Sequence, residues 1–440
     1  MERVKIVGAG LAGSEIALQL ASYGIEVTLY EMKPTRRTPA QTSDFFAELV
    51  CSNSFRSQNP ANAIGQLKRE MRAADSFIMA AADRHAVPAG DALAVDREKF
   101  AAEITGQLQA HEHITIETGV VERIPDGLCV VATGPLTDDA LAKDIARRAG
   151  RESLAFYDAI APIIDADSID WDTVWRQSRY DKGDGAAYAN IPMDENQYKA
   201  FVQAVIDGDQ VRAHEFEDAK YFEGCLPIEV MAGRGEMTLA FGPLKPVGLT
   251  NPKTGEQPYA VAQLRMENVD ATAWNMVGFQ TRLKYPAQKA IFRSLPGLQN
   301  AEFLRYGSVH RNTYLHAPSL LSDDLHFKDD SNLYFAGQIT GVEGYVESTA
   351  CGMLVAWHLL SRLGIECRPT PPAESAFGGL QRHLKADGIL SAYAPSNLNW
   401  SLFPPIERRR REPRRMRRQR MAERAQAAFQ LWWDESGLAR

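Results

Sequence analysis

The sequence predicts an α/β fold: a Rossmann-type nucleotide-binding domain interrupted by an inserted α+β domain. Three observations predict it. A strand, a glycine-rich turn, a helix and a second strand fill the stretch from Val4 to Glu31. Further strands leave through glycines at Leu128–Gly134 and Leu333–Gly337, the latter leading into a helix. Between about Leu136 and Asn300 the alternation of strand and helix is lost.

Val4-Lys5-Ile6-Val7 is a short apolar run suited to a buried strand. Gly8-Ala9-Gly10-Leu11-Ala12-Gly13 follows at once, and Ser14–Tyr23 continues at helical spacing to Gly24. Val27-Thr28-Leu29-Tyr30 is a second strand closing on Glu31. A lone GxGxxG says little, but here it sits between a strand and a helix, with an acid at the end of the second strand. Gly8 then serves the tight turn, Gly10 the close approach of a pyrophosphate, and Gly13 the packing of helix on strand. The helix start offers free N–H groups to phosphate, and Glu31 offers a carboxylate to ribose hydroxyls. Gly8, Ala9, Gly10, Leu11, Ala12, Gly13 and Glu31 are therefore expected to hold a dinucleotide.

After a polar stretch, Phe46–Val50 leads to Cys51-Ser52-Asn53-Ser54. The pattern predicts a helix over Leu67–Ala82, a strand at Ala92–Val95, and a helix Arg97–Leu108 with Asp96 as N-cap. Ile114–Ile116 and Leu128–Val131 read as strands. The exit Ala132-Thr133-Gly134 resembles the second glycine motif of flavoproteins of the glutathione-reductase-like architecture, where a close backbone crossing admits nothing larger. Downstream of the first fingerprint it shifts the expected dinucleotide from NAD to FAD, with Thr133 and Gly134 beside it. Leu333–Ala336, Gly337-Gln338 and a helix Ser348–Arg362 form the late unit that closes such a site, bringing a helix N-terminus toward the flavin. The acid usual after that glycine is Gln338 here. The expected organisation is an FAD-binding domain at 1–135 and 301–368, an inserted domain at 136–300, and a C-terminal helical and basic tail at 369–440.

Composition limits the alternatives. The chain has 440 residues, 24% charged, with a formal net charge of −7. That sum argues against nucleic acid only weakly, because the C-terminus is strongly basic. No apolar run approaches membrane-spanning length, so no membrane partner is expected. Met1-Glu2-Arg3 runs straight into the first strand, leaving no signal peptide ahead of it, and five cysteines do not make a disulfide framework. The expected compartment is the cytoplasm. No protein partner is evident, and the oligomeric state is open.

Cys51 and Cys225 stand out by their neighbours. Cys51 precedes three polar residues, and Cys225 lies in Glu223-Gly224-Cys225-Leu226-Pro227, a setting suited to a reactive loop. For a single cysteine the commoner state is a small buried hydrophobe, which suits Cys129, Cys351 and Cys367. No CxxC pair and no zinc spacing occurs, so no metal is expected. Lys245, held between Pro243 and Pro246, and His310-Arg311 could hold an anionic substrate or be ordinary loop charge. The arginine run Arg408–Arg424 could bind nucleic acid or be a solvated helix face. Phe429, Trp432 and Trp433 read as packing residues.

Longer motifs then carry a specific resemblance. Glu31-Met32-Lys33-Pro34, Phe46–Ser54, Val87-Pro88-Ala89-Gly90, Ala94-Val95-Asp96-Arg97 and Ala132–Thr137 match one family closely. So do Glu223-Gly224-Cys225, Phe241-Gly242-Pro243, Gly278-Phe279-Gln280-Thr281, His310-Arg311-Asn312-Thr313 and Gly341-Val342-Glu343-Gly344-Tyr345. The chain resembles the folate- and FAD-dependent tRNA (uracil-5-)-methyltransferases, related to the GidA flavoproteins, over about residues 1–365. Gln338 is ordinary for that family. The resemblance implies methylation of uridine 54 in the tRNA T-loop. 5,10-Methylenetetrahydrofolate would be the carbon donor, FAD the cofactor and NAD(P)H the reductant. It implies Cys225 as the nucleophile toward uracil, Cys51 as a second functional thiol, and Tyr345 stacking on the flavin. His310 and Arg311 would face the folate. The related wobble-uridine flavoproteins are longer at the C-terminus, and a flavin oxidoreductase acting on small molecules is the alternative without RNA.

Overall fold

The apolar runs form one sheet. Strands β1 (Val4–Val7), β2 (Val27–Glu31), β3 (Ile114–Thr118), β4 (Cys129–Val131), β5 (His326–Phe327) and β6 (Asp330–Phe335) lie in the order β5-β6-β4-β1-β2-β3. Neighbours are parallel except the β5–β6 hairpin. Ile6 stands between Leu29 and Val130, and Val130 beside Tyr334. All four are buried, as expected of a parallel sheet covered on both faces. This computed structural model describes residues 3–38, 40–149, 154–181, 186–211, 226–267, 271–385, 393, 395–407, 409 and 412–439.

Helix α1 (Leu11–Ala21) is buried along its whole length, not on one face only. The polar Glu15 is sealed in with it. Its carboxylate accepts from Ser76 Oγ at 3.0 Å and from the N–H groups of Phe77 and Ile78 at 3.2 and 2.9 Å. Burial raises its pKa, and these bonds oppose the rise. The same contacts break the long helix expected over Leu67–Ala82. Helix α2 (Ala63–Ala73) stops short, Asp75 adopts φ +52°, and Ser76 caps a separate helix Phe77–Arg84. An N-cap serine with an acid beneath it outweighed continuous helical periodicity. The helix Arg97–Ala110 begins as expected, with Asp96 accepting from Lys99 N–H at 3.2 Å.

The middle of the chain builds a second sheet, antiparallel throughout. Its order is Trp175–Arg176, Tyr188–Met193, Ala260–Met266, Ala273–Met276, Ile163–Asp165, Phe303–Arg305. With the helix Glu195–Asp207 it encloses its own core around Trp274, Phe279 and Phe292. This matches the expected α+β character. Leu141 and Ile145, from the helix Asp139–Ala149, belong to the first core instead. We propose that the paired strands Leu154–Ile160 and Ser308–Tyr314 mark the junction, each C-terminal of the boundary expected at 136 and at 300.

Helix α3 (Tyr345–Arg362) packs along α1, and the C-terminal helices α4 (Ala376–Lys385) and α5 (Arg414–Glu435) pack on α3. Trp357 meets Phe377 at 4.7 Å and Trp433 at 5.8 Å between ring centroids. Phe429 is fully buried. The aromatic residues near the C-terminus are packing residues, and Phe377, Leu380, Phe403, Phe429 and Leu438 belong to the first core. Among the described residues no helix is long and apolar enough to cross a membrane.

Glu70 on α2 fastens α4 in place. Its carboxylate accepts from the N–H groups of Ala376 at 2.8 Å and Phe377 at 3.1 Å. Burial pushes its pKa up to about 8 from an ordinary 4.5. A pKa raised on folding favours the native state at low pH, and that contribution is lost as pH rises toward about 8. Glu70→Gln should therefore compare more favourably with wild type in thermal midpoint near pH 8 than near pH 5. Melting curves at the two pH values check this; an equal difference at both would contradict it.

Candidate active site

The glycine turn after β1 divides its labour. Gly8 has φ +103°, and a Cβ there would stand 2.8 Å from the Ala132 carbonyl on the neighbouring strand exit. A side chain at Gly13 would overlap the Gly8 carbonyl, while one at Gly10 would meet nothing within 4 Å. Gly10 is thus the open side of the turn. As N-cap of α1 it supplies no side-chain oxygen, which leaves first-turn N–H groups facing outward for an anion. Leu11 and Ala12 are buried behind it.

Glu31 closes the other wall. Its Oε2 accepts from Ala9 N–H at 2.9 Å and its Oε1 from Lys33 N–H at 3.0 Å. The carboxylate therefore also holds the turn in shape. A cavity joins Gly8, Gly10 and Glu31 to Thr133, Leu136 and Thr137. Thr133 Oγ1 lies 2.6 Å from Thr137 Oγ1, and Gly134 has φ +69°. Gly337 has φ +77°, and a Cβ there would press on Ala12 Cβ at 2.9 Å. Bare glycine, unsatisfied helix N–H groups and a terminal carboxylate around one cavity fit a dinucleotide. Gln338 donates to both oxygens of Glu343, at 2.8 and 2.9 Å, so a carboxylate stands six residues beyond Gly337.

The Cys51 loop is built from distant parts of the chain. Tyr345, at the start of α3, accepts at its Oη from Cys51 N–H at 2.7 Å and Ser52 N–H at 3.0 Å. Its ring lies 5.9 Å from Phe55, and burial, then the nearby Cys51, raises its phenol well above the usual range. Arg97 Nη1 donates to the Leu49 carbonyl at 2.8 Å, and its Nε pairs with Glu267 at 2.6 Å. Arg305 Nη2 donates to the Val50 carbonyl at 2.6 Å. Asn53 donates to the Met266 carbonyl at 2.7 Å and accepts from Arg265 Nε at 2.8 Å. Arg56 pairs with the buried Glu347 of α3. Beneath them the fully buried Lys68 donates to the carbonyls of Phe55 and Arg56 at 2.9 and 2.8 Å, and burial lowers its pKa to about 7.

The structure thus brings together Gly8–Gly13, Glu31, Thr133, Gly134 and Gly337, and it ties Cys51 to Tyr345. Lys245 is exposed on a turn closed by its own N–H to the Gly242 carbonyl at 3.3 Å. His310 and Arg311 lie on the ladder, opposite Asp158 and Tyr157. Cys225 lies outside the described residues. Burial raises the thiols of Cys129 and Cys351 to about 12 and about 11, in keeping with packing roles. Sequence reasoning missed Arg97, Arg265, Glu267, Arg305 and Lys68. Arg97 carried one signal, its place directly after the Asp96 cap within a quoted motif. The others sit on inserted strands or inside a helix with nothing local to mark them. Among the described residues no group of acids, histidines and cysteines could hold a metal.

Comparison with known proteins adds the family. The profile described as "Glucose inhibited division protein A" matches residues 3–364. The curated methylenetetrahydrofolate–tRNA-(uracil-5-)-methyltransferase TrmFO of Anaeromyxobacter sp. (strain Fw109-5) is 54% identical over 98% of this chain and 97% of its own length. The protein of that name from Zymomonas mobilis is 50% identical over 100% of this chain and 99% of its own. This chain belongs to the TrmFO family. Among solved structures, Aquifex aeolicus GidA in its form II crystal aligns with a TM-score of 0.70 at 17% identity, covering 100% of this chain and 74% of that one. That likeness shows the fold, in agreement with the sheet and cradle described above.

The Tyr345 hydroxyl is the shared acceptor for two part-buried N–H groups of the Cys51 loop. Tyr345→Phe should lower stability by about 1 kcal/mol or somewhat more, read as a shifted urea midpoint. An unshifted midpoint would mean that the pair does not hold the loop.

Proposed function

We propose that this chain methylates C5 of uracil in tRNA, at uridine 54 of the T-loop. The carbon comes from 5,10-methylenetetrahydrofolate, and the electrons come from NAD(P)H by way of FAD. The observation that carries the reading is the 54% identity to a TrmFO protein over 98% of the chain. The cradle at Gly8–Gly13 and Glu31 supports it independently, because it suits the cofactor that this reaction needs.

Gly8–Gly13, Glu31, Thr133, Gly134 and Gly337 would hold FAD, which when bound supplies the hydride that completes the methyl group. The protein's own task is to make C5 of uracil nucleophilic. Addition of a thiolate at C6 does so, and its later departure restores the ring. Cys225 takes that role in this reading, and Cys51 is the second functional thiol. Tyr345 joins the Cys51 backbone to the N-terminal end of α3, the helix end that faces the cradle. Arg97 and Arg305 place two positive charges against the carbonyls before Cys51, with Glu267 countering one of them. Such a surround favours an anion over a neutral group. His310, Arg311 and Lys245 are the proposed contacts for the folate. The sequence holds no second GxGxxG, so NAD(P)H would dock transiently, in the folate site.

The test is nucleoside mass analysis of unmodified tRNA incubated with the FAD-loaded protein, NADPH and methylenetetrahydrofolate. The expected product is 5-methyluridine in the T-loop, absent when S-adenosylmethionine replaces the folate. Cys225→Ala should lower product by on the order of 10³ or more while FAD stays bound. A flavin-loaded protein that oxidises NADPH yet makes no 5-methyluridine would refute the reading.

A further inference from the structure

The arginine run takes no part in the site described above. Residues 408–424 hold ten arginines against two glutamates, in a chain whose formal net charge is −7. Most of that positive charge sits at the N-terminal end of α5, whose first turn contains no acid. A helix N-terminus carries the positive end of the dipole, so cations placed there cost stability. Arg420 and Arg424 are used structurally, by Glu412 at 2.7 Å and the Pro405 carbonyl at 3.1 Å. Arg415, Arg417 and Arg418 pair with no carboxylate among the described residues.

A groove of about 620 Å³ runs beside them, between α5, the start of α2 and the segment Leu398–Ile406. Arg417, Arg418, Asn62, Ser401 and Trp400 line it, and no carboxylate does among the described residues. Trp400 is half-buried and fixed by its Nε1–H to the Ala61 carbonyl at 2.9 Å. The wall of the groove is continuous with the candidate active site. Asn397 donates to the Glu343 carbonyl at 2.6 Å, and Leu398 N–H to Glu347 Oε1 at 2.9 Å. Glu347 is also the partner of Arg56 on the Cys51 loop.

We propose that this groove and the exposed start of α5 form a docking surface for the phosphate backbone of the tRNA substrate, with Arg415, Arg417 and Arg418 as its contacts. The inference rests on the tRNA reading above and adds where the RNA is held. Unpaired guanidinium groups gathered at a helix N-terminus concentrate positive potential, and a polyanion relieves their repulsion while releasing its own counterions. A basic helix could also lie on an anionic membrane, but that needs a free apolar face. The apolar face of α5, with Ala425, Phe429 and Trp433, is spent on the core.

The test uses the full-length FAD-loaded protein and measures tRNA binding across a salt series. Changing Arg415, Arg417 and Arg418 together to Ala should weaken binding on the order of tenfold to a hundredfold and make the slope of log K against log salt shallower by about 2 to 3. Changing the same three to Lys should restore most of both, because backbone contacts read charge. Retained FAD and a melting midpoint no lower than that of the wild type in both variants exclude misfolding. An Ala variant with wild-type affinity and slope would overturn the proposal. So would binding of phosphatidylserine vesicles that the Ala variant loses while keeping its affinity for tRNA. Failure of the parent reading has a different signature, no 5-methyluridine from wild-type protein, and would overturn this proposal with it.

Discussion

Everything at the cradle depends on how closely α1 and α3 approach each other. Two glycines set that distance by meeting the same residue, and a third packs α1 against its own turn. A Cβ at Gly352 would stand 2.8 Å from the Ala12 carbonyl, one at Gly337 would stand 2.9 Å from Ala12 Cβ, and one at Gly13 would overlap Gly8. Cores packed at crystal-like density cannot absorb an added methyl group there without moving backbone. The close crossing brings the starts of two helices to one side of the parallel sheet. Both starts lack a side-chain cap, Gly10 at one and Gly344 at the other. The uncapped start of α1 lines the cavity at Gly10 and suits a ligand that carries negative charge.

The same crossing explains why α1 is buried all round and why a glutamate can live inside it. Glu15 does not face solvent, yet its acceptors are spent on the N-terminus of the helix Phe77–Arg84. Glu70 repeats the device toward α4. In each case one buried carboxylate replaces the water that a helix start would otherwise need. The carboxylates therefore act as fasteners between layers, and the hydrophobic surface of Trp357, Phe377 and Phe429 seals what they fasten.

What could be read from sequence follows from how local each feature is. Gly8, Gly10 and Gly13 lie within one turn and Glu31 ends the next strand, so their meeting could be read from spacing within a single βαβ unit. The strands of the parallel sheet were legible as apolar runs, and the packing role of Phe429 and Trp433 was legible as helical spacing. The break at Asp75 was hidden because periodicity continues across it, and only the buried partner Glu15 makes Ser76 a cap. The Cys51 surround was hidden for a stronger reason. Arg97, Arg265, Glu267 and Arg305 come from a helix of one domain and strands of the other, and no pattern in a single chain records that meeting. The polar neighbours of Cys51 hinted that the loop was special, but not that three arginines would gather near it.

That gathering has a physical consequence. Arg97, Arg265 and Arg305 stand near the Cys51 loop with Glu267 as the opposing carboxylate, and burial together with the facing Arg97 charge lowers the pKa of Arg305. Lys68, close to Arg56 and Glu347, donates to backbone carbonyls, and burial lowers its pKa to about 7, which sheds part of its charge. Buried charges left without full compensation cost stability, so such a cluster persists where something else repays it. The repayment is partly structural, since the guanidinium groups satisfy the carbonyls of Leu49 and Val50, which no sheet or helix engages. The remainder is positive potential beside a thiol and beside a cavity built for a phosphate-bearing cofactor. In the reaction proposed above, an anionic pyrimidine and a polycarboxylate carbon donor would bring negative charge to that potential. In that proposal the charge gathered at the loop is an electrostatic preorganisation built into the fold.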